Sequence, residues 1–471
     1  MIFSTIKFFV FFAIALPTAL VLRRQSRASH LFLLGASFYF YMSWNALFIL
    51  LLVPAIALDY FVAPQIAVSK TDRQKRRWLL VSLIGNLGLL GFFKYTNFVI
   101  DTANLILSAD LQISNLDITL PIGISFHTFQ TLSYTIDVYY GRIAVERSFV
   151  RLAVFVSFFP QLVAGPIVRA RQFLPQLYRE VSVDWDRIKG GAERFIIGLV
   201  KKLLIADAVA PYVDRVYANP PVYDSSTLWL ATLAFGIQIY CDFSGYSDMA
   251  IGTAKCLGYE FPENFNMPYF ATNVREFWQR WHMTLSNWLR DYVYIPLGGS
   301  RCSRLLVLRN LMITMLLGGL WHGASWKFVL WGALHGFYLI VHRFWLEVKR
   351  KRNWEVNGPL RLILIPLSTF FTFLLVTLSW VYFRADNAAT ATGMIRRMLT
   401  GGKGGEFLSS PILSISVLVL ITAHFLATFS DYGSLYRRLP TPFKVVGYGV
   451  IFYLLSISSI RDNTPFIYFQ F

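Results

Sequence analysis

Cysteine is scarce in this sequence, with three residues among 471. Cys241, Cys256 and Cys302 lie far apart and form neither a Cys-x-x-Cys pair nor a Cys/His pattern with the spacing of metal ligands. This spacing argues against a disulfide framework and against a zinc site. The three side chains are instead expected to pack as small apolar groups, and the sequence predicts no metal site.

Charged residues are also scarce, and acidic residues are scarcer than basic ones. Only 15% of the chain is charged, with 26 Asp and Glu against 44 Lys and Arg, whereas 55% is hydrophobic and 17% is aromatic. The mean hydropathy is +0.50. Because a soluble domain carries roughly a quarter charged residues, this composition predicts a polytopic membrane protein in which most of the chain crosses or lines the bilayer.

The formal net charge of +18 does not predict a nucleic-acid partner, because the basic residues fall in short clusters between apolar runs, as in cytoplasmic loops. The apolar run from Ile2 to Leu22 has no basic start and is followed by Arg23, Arg24 and Arg27. That order predicts a retained first span with its N-terminus on the outer side, rather than a cleaved signal peptide.

Two later regions are expected to contain interrupted helices. The basic clusters 23–27 and 70–77 should both be cytoplasmic, so an even number of crossings must separate them. We therefore predict two short helices joined near Asn45. In the run from Phe149 to Val168, Pro160, Gly165 and Pro166 predict a re-entrant or broken helix that lines a cavity.

Ionisable residues interrupt two other apolar runs. Lys201 and Lys202 lie in the middle of the run 195–213, which is either a tilted crossing or an interfacial helix whose lysines snorkel. Asp242 and Asp248 lie in the run 227–259. Their carboxylates either accept hydrogen bonds from helix N–H groups or pair with an arginine, or they act directly in catalysis.

Residues 275–292 predict one amphipathic helix with two stripes. Its aromatic and apolar stripe contains Trp278, Trp281, Leu285, Trp288 and Tyr292, and its polar stripe contains Arg275, Gln279, His282, Ser286 and Arg290. One interpretation is an anchoring belt at the membrane interface. The other is a basic lip that admits an anionic, phosphate-bearing donor from the cytoplasm.

His322 is the candidate reaction centre. It follows the apolar run Leu311–Trp321, where an ionisable group costs several kcal/mol by roughly the insertion scales and so indicates a function. A neutral imidazole there can accept the proton of a hydroxyl that attacks an acyl carbonyl. The alternative is a histidine hydrogen-bonded across a helix pair. His335, on the following span, is expected to provide packing support.

Five motifs resemble the bacterial membrane-bound O-acyltransferases of the alginate O-acetyltransferase type over nearly the whole chain. They read LPIGISFHTFQTLSY, FFPQLVAGPIVR, IYCDFSGYSDMAIG, EFWQRWHMTLSNWLRDYVYIPLGG and MLLGGLWHGASWKFVLWGALHG. The resemblance implies an all-α polytopic membrane protein, with a bundle of tilted transmembrane helices around a central pore or funnel and with re-entrant and interfacial helices. It also implies acetyl-CoA as cytoplasmic donor substrate, no permanently bound cofactor, and a periplasmic SGNH-type partner that completes acetylation of a polysaccharide.

The resemblance maps the catalytic histidine to His322 and places His282 on the cytoplasmic side near the donor path. The residues expected along that path are Arg275, Arg280, Arg290 and Ser286, with Asp242, Asp248, Trp321 and His335 in supporting positions.

The sequence as a whole then predicts an O-acetyltransferase in a bacterial inner membrane. It is expected to form a single domain, 1–471, with N-terminal helices 1–147, a catalytic core 148–345 and C-terminal helices 346–471. One alternative is a flippase or transporter of a lipid-linked sugar, which would also need a polar cavity and intramembrane Asp242 and His322. The other is a structural subunit of an export complex.

Overall fold

The computed structural model describes residues 1–108, 111–353, 358–401, 405–429, 440–458 and 466–467. These residues are helical apart from turns, irregular segments and one isolated bridge between Tyr223 and Glu406. Within the described ranges there is no β-strand, so the all-α prediction is confirmed.

The α-helices differ widely in length, and several are shorter than a membrane crossing. They are α1 Ile6–Leu22, α2 Ser26–Met42, α3 Ile49–Val68, α4 Asp72–Leu90, α5 Thr96–Asn104, α6 Ile124–Tyr139, α7 Phe149–Ser157, α8 Ala170–Leu177, α9 Trp185–Leu199, α10 Asp207–Ala218, α11 Ser225–Cys256, α12 Val274–Arg280, α13 Met283–Leu289, α14 Arg304–His322, α15 Trp326–Lys351, α16 Leu360–Arg384, α17 Ala388–Thr400, α18 Pro411–Phe429 and α19 Thr441–Ser458.

Four helical segments of the described chain are long and apolar enough to cross a membrane. They are Ala46–Val68, Asp72–Asn104, Arg304–His322 and Leu360–Arg384. A crossing needs about 20 predominantly apolar residues, which these segments supply. The prediction of a multi-pass membrane protein is therefore confirmed.

The chain divides into two compact units. Unit 1 contains Met1–Ile197 and Tyr246–Glu263, and unit 2 contains Gly198–Gly245 and Asn264–Phe471. Both of the histidines singled out above, His282 and His322, belong to unit 2. The single-domain assignment stays a prediction.

In unit 1, the predicted break near Asn45 is present. Helix α2 ends at Met42, and a short 3₁₀ turn at Ala46–Phe48 leads into α3. The Asn45 side chain accepts a hydrogen bond from the Leu47 N–H at 2.9 Å, which caps this turn. The charge pattern of the flanking clusters thus correctly predicted two helices where hydropathy alone would allow one long helix.

The predicted broken helix at 149–168 is also present in unit 1. Helix α7 ends at Ser157, and residues 158–169 are non-helical and buried. Buried backbone outside a helix needs partners. Ser37 Oγ accepts from the Phe159 N–H at 3.1 Å, and the Gln161 side chain donates to the Phe155 carbonyl at 2.5 Å. That this segment lines a cavity stays a prediction.

Unit 1 also buries one carboxylate that the sequence reasoning missed. Asp59, within the candidate span Ala46–Val68, accepts hydrogen bonds from Ser82 Oγ at 2.5 Å and from Asn86 Nδ2 at 3.1 Å. Thr131 donates to the Asn86 side chain at 3.2 Å and so extends the network to α6. These bonds hold α3, α4 and α6 together, and they explain why a carboxylate can be buried at position 59.

The snorkelling interpretation of residues 195–213 is wrong for Lys202. The segment Val200–Ala206 is a π-helix between α9 and α10, and the Lys202 side chain within it is 2% exposed. In unit 2 its ammonium group pairs with Asp242 at 2.6 Å and with Asp207 at 2.9 Å. A buried ammonium group needs such anionic partners, so Lys202 points into protein and does not reach towards the membrane surface.

In unit 2, helices α14 and α15 form a close antiparallel pair joined by three residues, 323–325. A Cβ atom added to Gly319 would overlap the carbonyl oxygen of Phe328, and one added to Gly332 would overlap the carbonyl oxygen of Met315. Only glycine permits this approach of two backbones. The pair fixes the position of His322, which is the last residue of α14.

Candidate active site

His322 lies among aromatic rings at the C-terminal end of α14. Its ring centroid is 5.1 Å from that of Trp321, 5.1 Å from that of Trp331 and 5.2 Å from that of Phe383. The residue is 5% exposed. The ring is therefore held in a packed environment that still leaves part of the residue accessible.

These rings belong to a larger group of unit 2, which we call the aromatic cluster and which consists of Trp278, Trp281, Trp321, Trp331, Trp380 and Phe383. Centroid distances within it include 5.0 Å for Trp281 and Trp380, and 5.5 Å for Trp331 and Phe383. Such distances are typical of favourable aromatic pairs. The residues of the aromatic cluster come from α14, α15, α16 and the 275–292 region.

The single amphipathic helix predicted for residues 275–292 is wrong. The structure has two short helices, α12 and α13, and His282 between them adopts a left-handed conformation with φ 41° and ψ 52°. A non-glycine residue is disfavoured in this region by roughly 1–2 kcal/mol. The chain turns sharply at this point, so the 3.6-residue periodicity does not continue through it.

This turn carries His282 away from the arginines with which it was expected to share a face. His282 is 0% exposed, whereas Arg275 and Arg290 are exposed. The anchoring-belt interpretation fails as well, because Trp281 is 1% exposed and packs in the aromatic cluster. The inward direction of these side chains follows from the turn at His282.

The structure brings the two predicted histidines together. The ring centroids of His282 and His322 are 6.3 Å apart, and Trp321 lies 5.6 Å from His282. On its other side, the His282 ring contacts the edge of Phe243 at 4.6 Å. Burial lowers the pKa of the His282 imidazole, so this ring, which lies outside the candidate spans, is neutral at physiological pH. Of the two histidines, only His322 retains exposure.

His335 packs beside the same cluster. Its Nε2 atom is 2.9 Å from Ser379 Oγ, and its ring centroid is 4.7 Å from that of Trp331 and 5.1 Å from that of Trp278. Because Trp331 also contacts His322, His335 packs against a neighbour of the candidate reaction centre. A supporting role for His335 in the reaction stays a prediction.

The expected donor residues occupy the exposed side of the same region. Arg280 pairs with Glu276 at 2.7 Å, and Arg290 pairs with Asp291 at 2.7 Å. The Ser286 hydroxyl donates to the Trp281 carbonyl at 3.3 Å. The arginines are accessible to an anionic ligand, and their role in donor binding stays a prediction.

The two supporting aspartates are held by cations, each within its own unit. In unit 2, Asp242 pairs with Lys202 and also accepts the Ile467 N–H at 2.9 Å. In unit 1, Asp248 pairs with Arg194 at 2.6 Å. These contacts match the ion-pairing interpretation, with a lysine in place of the expected arginine for Asp242.

Three cavities of unit 1 have lining residues that do not include either histidine. They have volumes of about 980, 440 and 360 Å³ and lie between α1 and α2 and on the two sides of residues 143–145. No group of three or more His, Cys, Asp or Glu residues that could hold a metal ion occurs in the described part of the chain.

Sequence reasoning missed several residues that build the site. Trp380 and Phe383 lie three positions apart on α16, a spacing that could have identified one helical face directed at His322. Asn264 and Thr284 are buried beside the turn at His282. No sequence signal predicted that pairing, because it joins segments that are separate in the chain.

Comparison with known proteins identifies a family and several similar sequences. Residues 140–375 match the model of MBOAT, the membrane-bound O-acyltransferase family. The chain is 40% identical over 446 residues to "Probable alginate O-acetylase AlgI" of Pseudomonas aeruginosa, covering 93% of this chain and 83% of the relative. It is 39% identical over 395 residues to "Peptidoglycan O-acetyltransferase" of Helicobacter pylori, covering 78% of this chain and 73% of the relative.

A more distant relative carries a different acyl group in its name. "Teichoic acid D-alanyltransferase" of Bacillus subtilis is 27% identical over 260 residues, covering 53% of this chain and 65% of the relative. The matched family model includes both histidines, the aromatic residues of α14 and α15, and the region between them. The chain is therefore an acyltransferase and belongs to the membrane-bound O-acyltransferase family.

Proposed function

We propose that the protein passes acetyl groups from cytoplasmic acetyl-CoA across the bacterial inner membrane for O-acetylation of a periplasmic or extracellular polysaccharide, with His322 as general base. The observation that carries the proposal is the position of His322, which is packed among aromatic rings beside a second histidine and retains 5% exposure. The names of two relatives, an alginate O-acetylase and a peptidoglycan O-acetyltransferase, support acetyl as the transferred group and a polysaccharide as the final acceptor.

In the proposed reaction, His322 accepts the proton of an acceptor hydroxyl as its oxygen attacks the thioester carbonyl carbon. The new C–O bond forms, the C–S bond breaks, and the departing thiolate receives the proton from the imidazolium. The products are an acetyl ester and free coenzyme A. General-base assistance of this kind is typically worth about 10²- to 10⁴-fold, and positioning of the two substrates supplies a further share.

The packing around His322 favours a short acyl group. Trp331 and Phe383 both lie within 5.2 Å of the His322 ring by centroid distance, so the space beside the imidazole is narrow. An acetyl group requires far less room than a fatty acyl chain does. This argument concerns only the size of the acyl group and is independent of the names of the relatives.

The donor path would begin at the exposed Arg275 and Arg290 and the partly exposed Arg280, whose guanidinium groups suit the phosphates of coenzyme A. The acceptor would arrive from the periplasm, either as a hydroxyl of an SGNH-type partner or as a carrier. The N-terminus is then expected on the periplasmic side, as the distribution of basic residues predicts.

The test compares membranes containing wild type, His322→Ala or His30→Gln after addition of labelled acetyl-CoA. We expect His322→Ala to lower acetyl transfer per folded molecule by at least about 10²-fold, because the proton acceptor is lost. His30→Gln changes a buried histidine of unit 1 that has no part in the proposed chemistry, and it should transfer acetyl at the wild-type rate. Full transfer by folded His322→Ala would remove His322 from the mechanism.

Release of coenzyme A separates this function from transport. The purified protein mixed with its periplasmic partner and acetyl-CoA should release coenzyme A in step with acetylation of the acceptor. A flippase would move a lipid-linked sugar without releasing coenzyme A, and that outcome would replace the proposal.

A further inference from the structure

The N-terminus of helix α13 is capped by a residue other than its own N-cap residue. His282 occupies the N-cap position of α13, and its side chain makes no capping hydrogen bond. Helix N-termini leave backbone N–H groups that need acceptors, which Ser, Thr, Asp or Asn usually supply from the N-cap itself. With a histidine in this position, the acceptors must come from another segment.

Asn264 supplies them from a separate part of unit 2. Its backbone carbonyl accepts from the Met283 N–H at 2.9 Å, and its side-chain Oδ1 accepts from the Thr284 N–H at 3.3 Å. The same Oδ1 also accepts from the Thr284 hydroxyl at 2.9 Å. Asn264 thus caps the first two residues of α13, immediately after His282.

The preceding side of the turn is fixed by the same segment. The Asn266 N–H donates to the Arg280 carbonyl at 2.9 Å, so residues 264–266 contact the chain both before and after His282. Asn264 is 0% exposed and Thr284 is 5% exposed. Buried hydrogen bonds of this kind have no competing water, so they define one conformation of the turn.

We propose that Asn264 is a positioning residue for the acyl-transfer site: it caps α13 in place of His282, holds the left-handed turn, and so keeps the His282 ring beside that of His322. The rings contact different partners on their two sides, with Phe243 against His282 and Phe383 against His322. A shift of the turn would therefore change the spacing of the two histidines. This inference rests on the proposed acetyl transfer.

The experiment measures kcat and KM for acetyl-CoA in wild type, Asn264→Ala and Asn264→Asp, per folded molecule. Asn264→Ala should lower kcat by up to about 10²-fold, the effect of a displacement near 1 Å, and leave KM within about twofold. Asn264→Asp keeps an acceptor oxygen at a helix N-terminus and should recover most of the lost kcat. An equal loss in both variants would show that the acceptor oxygen is not what matters, and it would overturn the proposal.

A double-mutant cycle with His282→Ala tests whether Asn264 acts through His282. In that background, Asn264→Ala should lower kcat by less than about twofold, because the group that it positions is already missing. If Asn264→Ala lowers kcat as much there as in wild type, Asn264 acts independently of His282, and the proposal is wrong.

Two further variants separate positioning from loss of folding. Asn387→Ala removes an equivalent bond, from the Thr390 N–H to the exposed Asn387 cap of α17 at 2.9 Å, and should leave kcat unchanged. Thr284→Val removes only the hydroxyl bond and provides a milder test if Asn264→Ala does not fold; it should lower kcat several-fold. Wild-type kcat in folded Thr284→Val and Asn264→Ala would overturn this inference alone, whereas a wild type that transfers no acetyl would overturn the proposed function.

Discussion

Lys202 and Asp242 form a buried ion pair. Each side chain is at most 3% exposed, and their charged atoms are 2.6 Å apart. Removal of Lys202 would leave the Asp242 carboxylate without its cation in a medium that solvates charge poorly, whereas removal of Asp242 would leave Lys202 paired with Asp207 at 2.9 Å. The Ile467 N–H also binds Asp242, which further satisfies the carboxylate.

Lys202→Met should therefore destabilise the protein markedly. Breaking a buried pair typically costs about 3–5 kcal/mol of unfolding free energy, because the remaining charge loses its partner. The measurement is thermal unfolding of the protein in detergent. Asp242→Asn should produce a smaller loss, because Asp207 still pairs with Lys202, and the double variant Lys202→Met, Asp242→Leu should recover part of the loss caused by Lys202→Met.

A solvent-accessible pair provides the control. Arg280 and Glu276 are 2.7 Å apart, with side chains 29% and 24% exposed, and such a pair contributes about 0–1 kcal/mol. Glu276→Gln should thus barely change unfolding. Equal effects of Glu276→Gln and Lys202→Met would contradict the assignment of Lys202 to a buried structural pair.

The sequence predicted only part of the candidate site. His322 was identifiable because an imidazole after an apolar run is unusual, and its environment follows from its own helix and the next one. The position of His282 was not predictable from local pattern, because it depends on hydrogen bonds from Asn264, a residue in a different segment. Likewise, no local signal paired Asp242 with Lys202, forty positions away.

At the scale of elements, the pairing of α14 with α15 depends on glycine. Gly319 faces the Phe328 carbonyl, and Gly332 faces the Met315 carbonyl. Neither position has space for a methyl group, because the neighbouring atoms belong to backbone that cannot rotate away. The distance between these helices therefore depends on residues that carry no side chain.

Gly332→Ala should separate the two helices locally. Overpacking of this kind costs about 1–3 kcal/mol of unfolding free energy, and the shift should also lower acetyl transfer because His322 ends α14. The measurements are thermal unfolding and transfer per folded molecule. Gly88→Ala is the matched control, since a Cβ added at this helical glycine meets nothing within 4 Å; it should leave stability unchanged or slightly raised. Equal destabilisation by both variants would contradict the packing argument.

Element boundaries were predictable where the sequence contains a physical cause for them. In unit 1, Pro160 correctly predicted the end of a helix before residue 160. The basic clusters 23–27 and 70–77 correctly predicted a break between two helices near Asn45. Residues 275–292 contain no proline or glycine, and their apolar spacing continues across the turn, so periodicity predicted one helix where two exist. Tertiary hydrogen bonds and the left-handed His282 override that local preference.

For the whole molecule, the distribution of charge predicts which loops face the cytoplasm. Residues 70–77 are rich in Lys and Arg, whereas residues 96–140, which include the loop with Asp117, contain no Lys or Arg. Translocation of Lys and Arg is disfavoured, so the first loop should lie inside and the second outside. Helical content and span length establish membrane crossing without fixing its direction.

Thiol labelling of cysteines introduced at exposed positions should reveal that direction. With Cys302 replaced by serine, a membrane-impermeant reagent should label Ser114→Cys in intact cells and Lys70→Cys only after permeabilisation, because both sites are exposed but on opposite sides. The buried Cys241 and Cys256 should remain unlabelled. Labelling of Lys70→Cys in intact cells would reverse the predicted orientation and, with it, the side from which the donor arrives.

Only Gly323, Ala324 and Ser325 separate α14 from α15, so these two helices can meet during synthesis before α16 has left the ribosome. Closing so short a loop costs little chain entropy, and contacts that are local in sequence form fast. The backbone around His322 would thus reach its final conformation early in biogenesis, and Trp380 and Phe383 would pack against His322 later. A chain truncated after α15 would then contain the reactive imidazole on an assembled helical hairpin but without its complete aromatic surroundings.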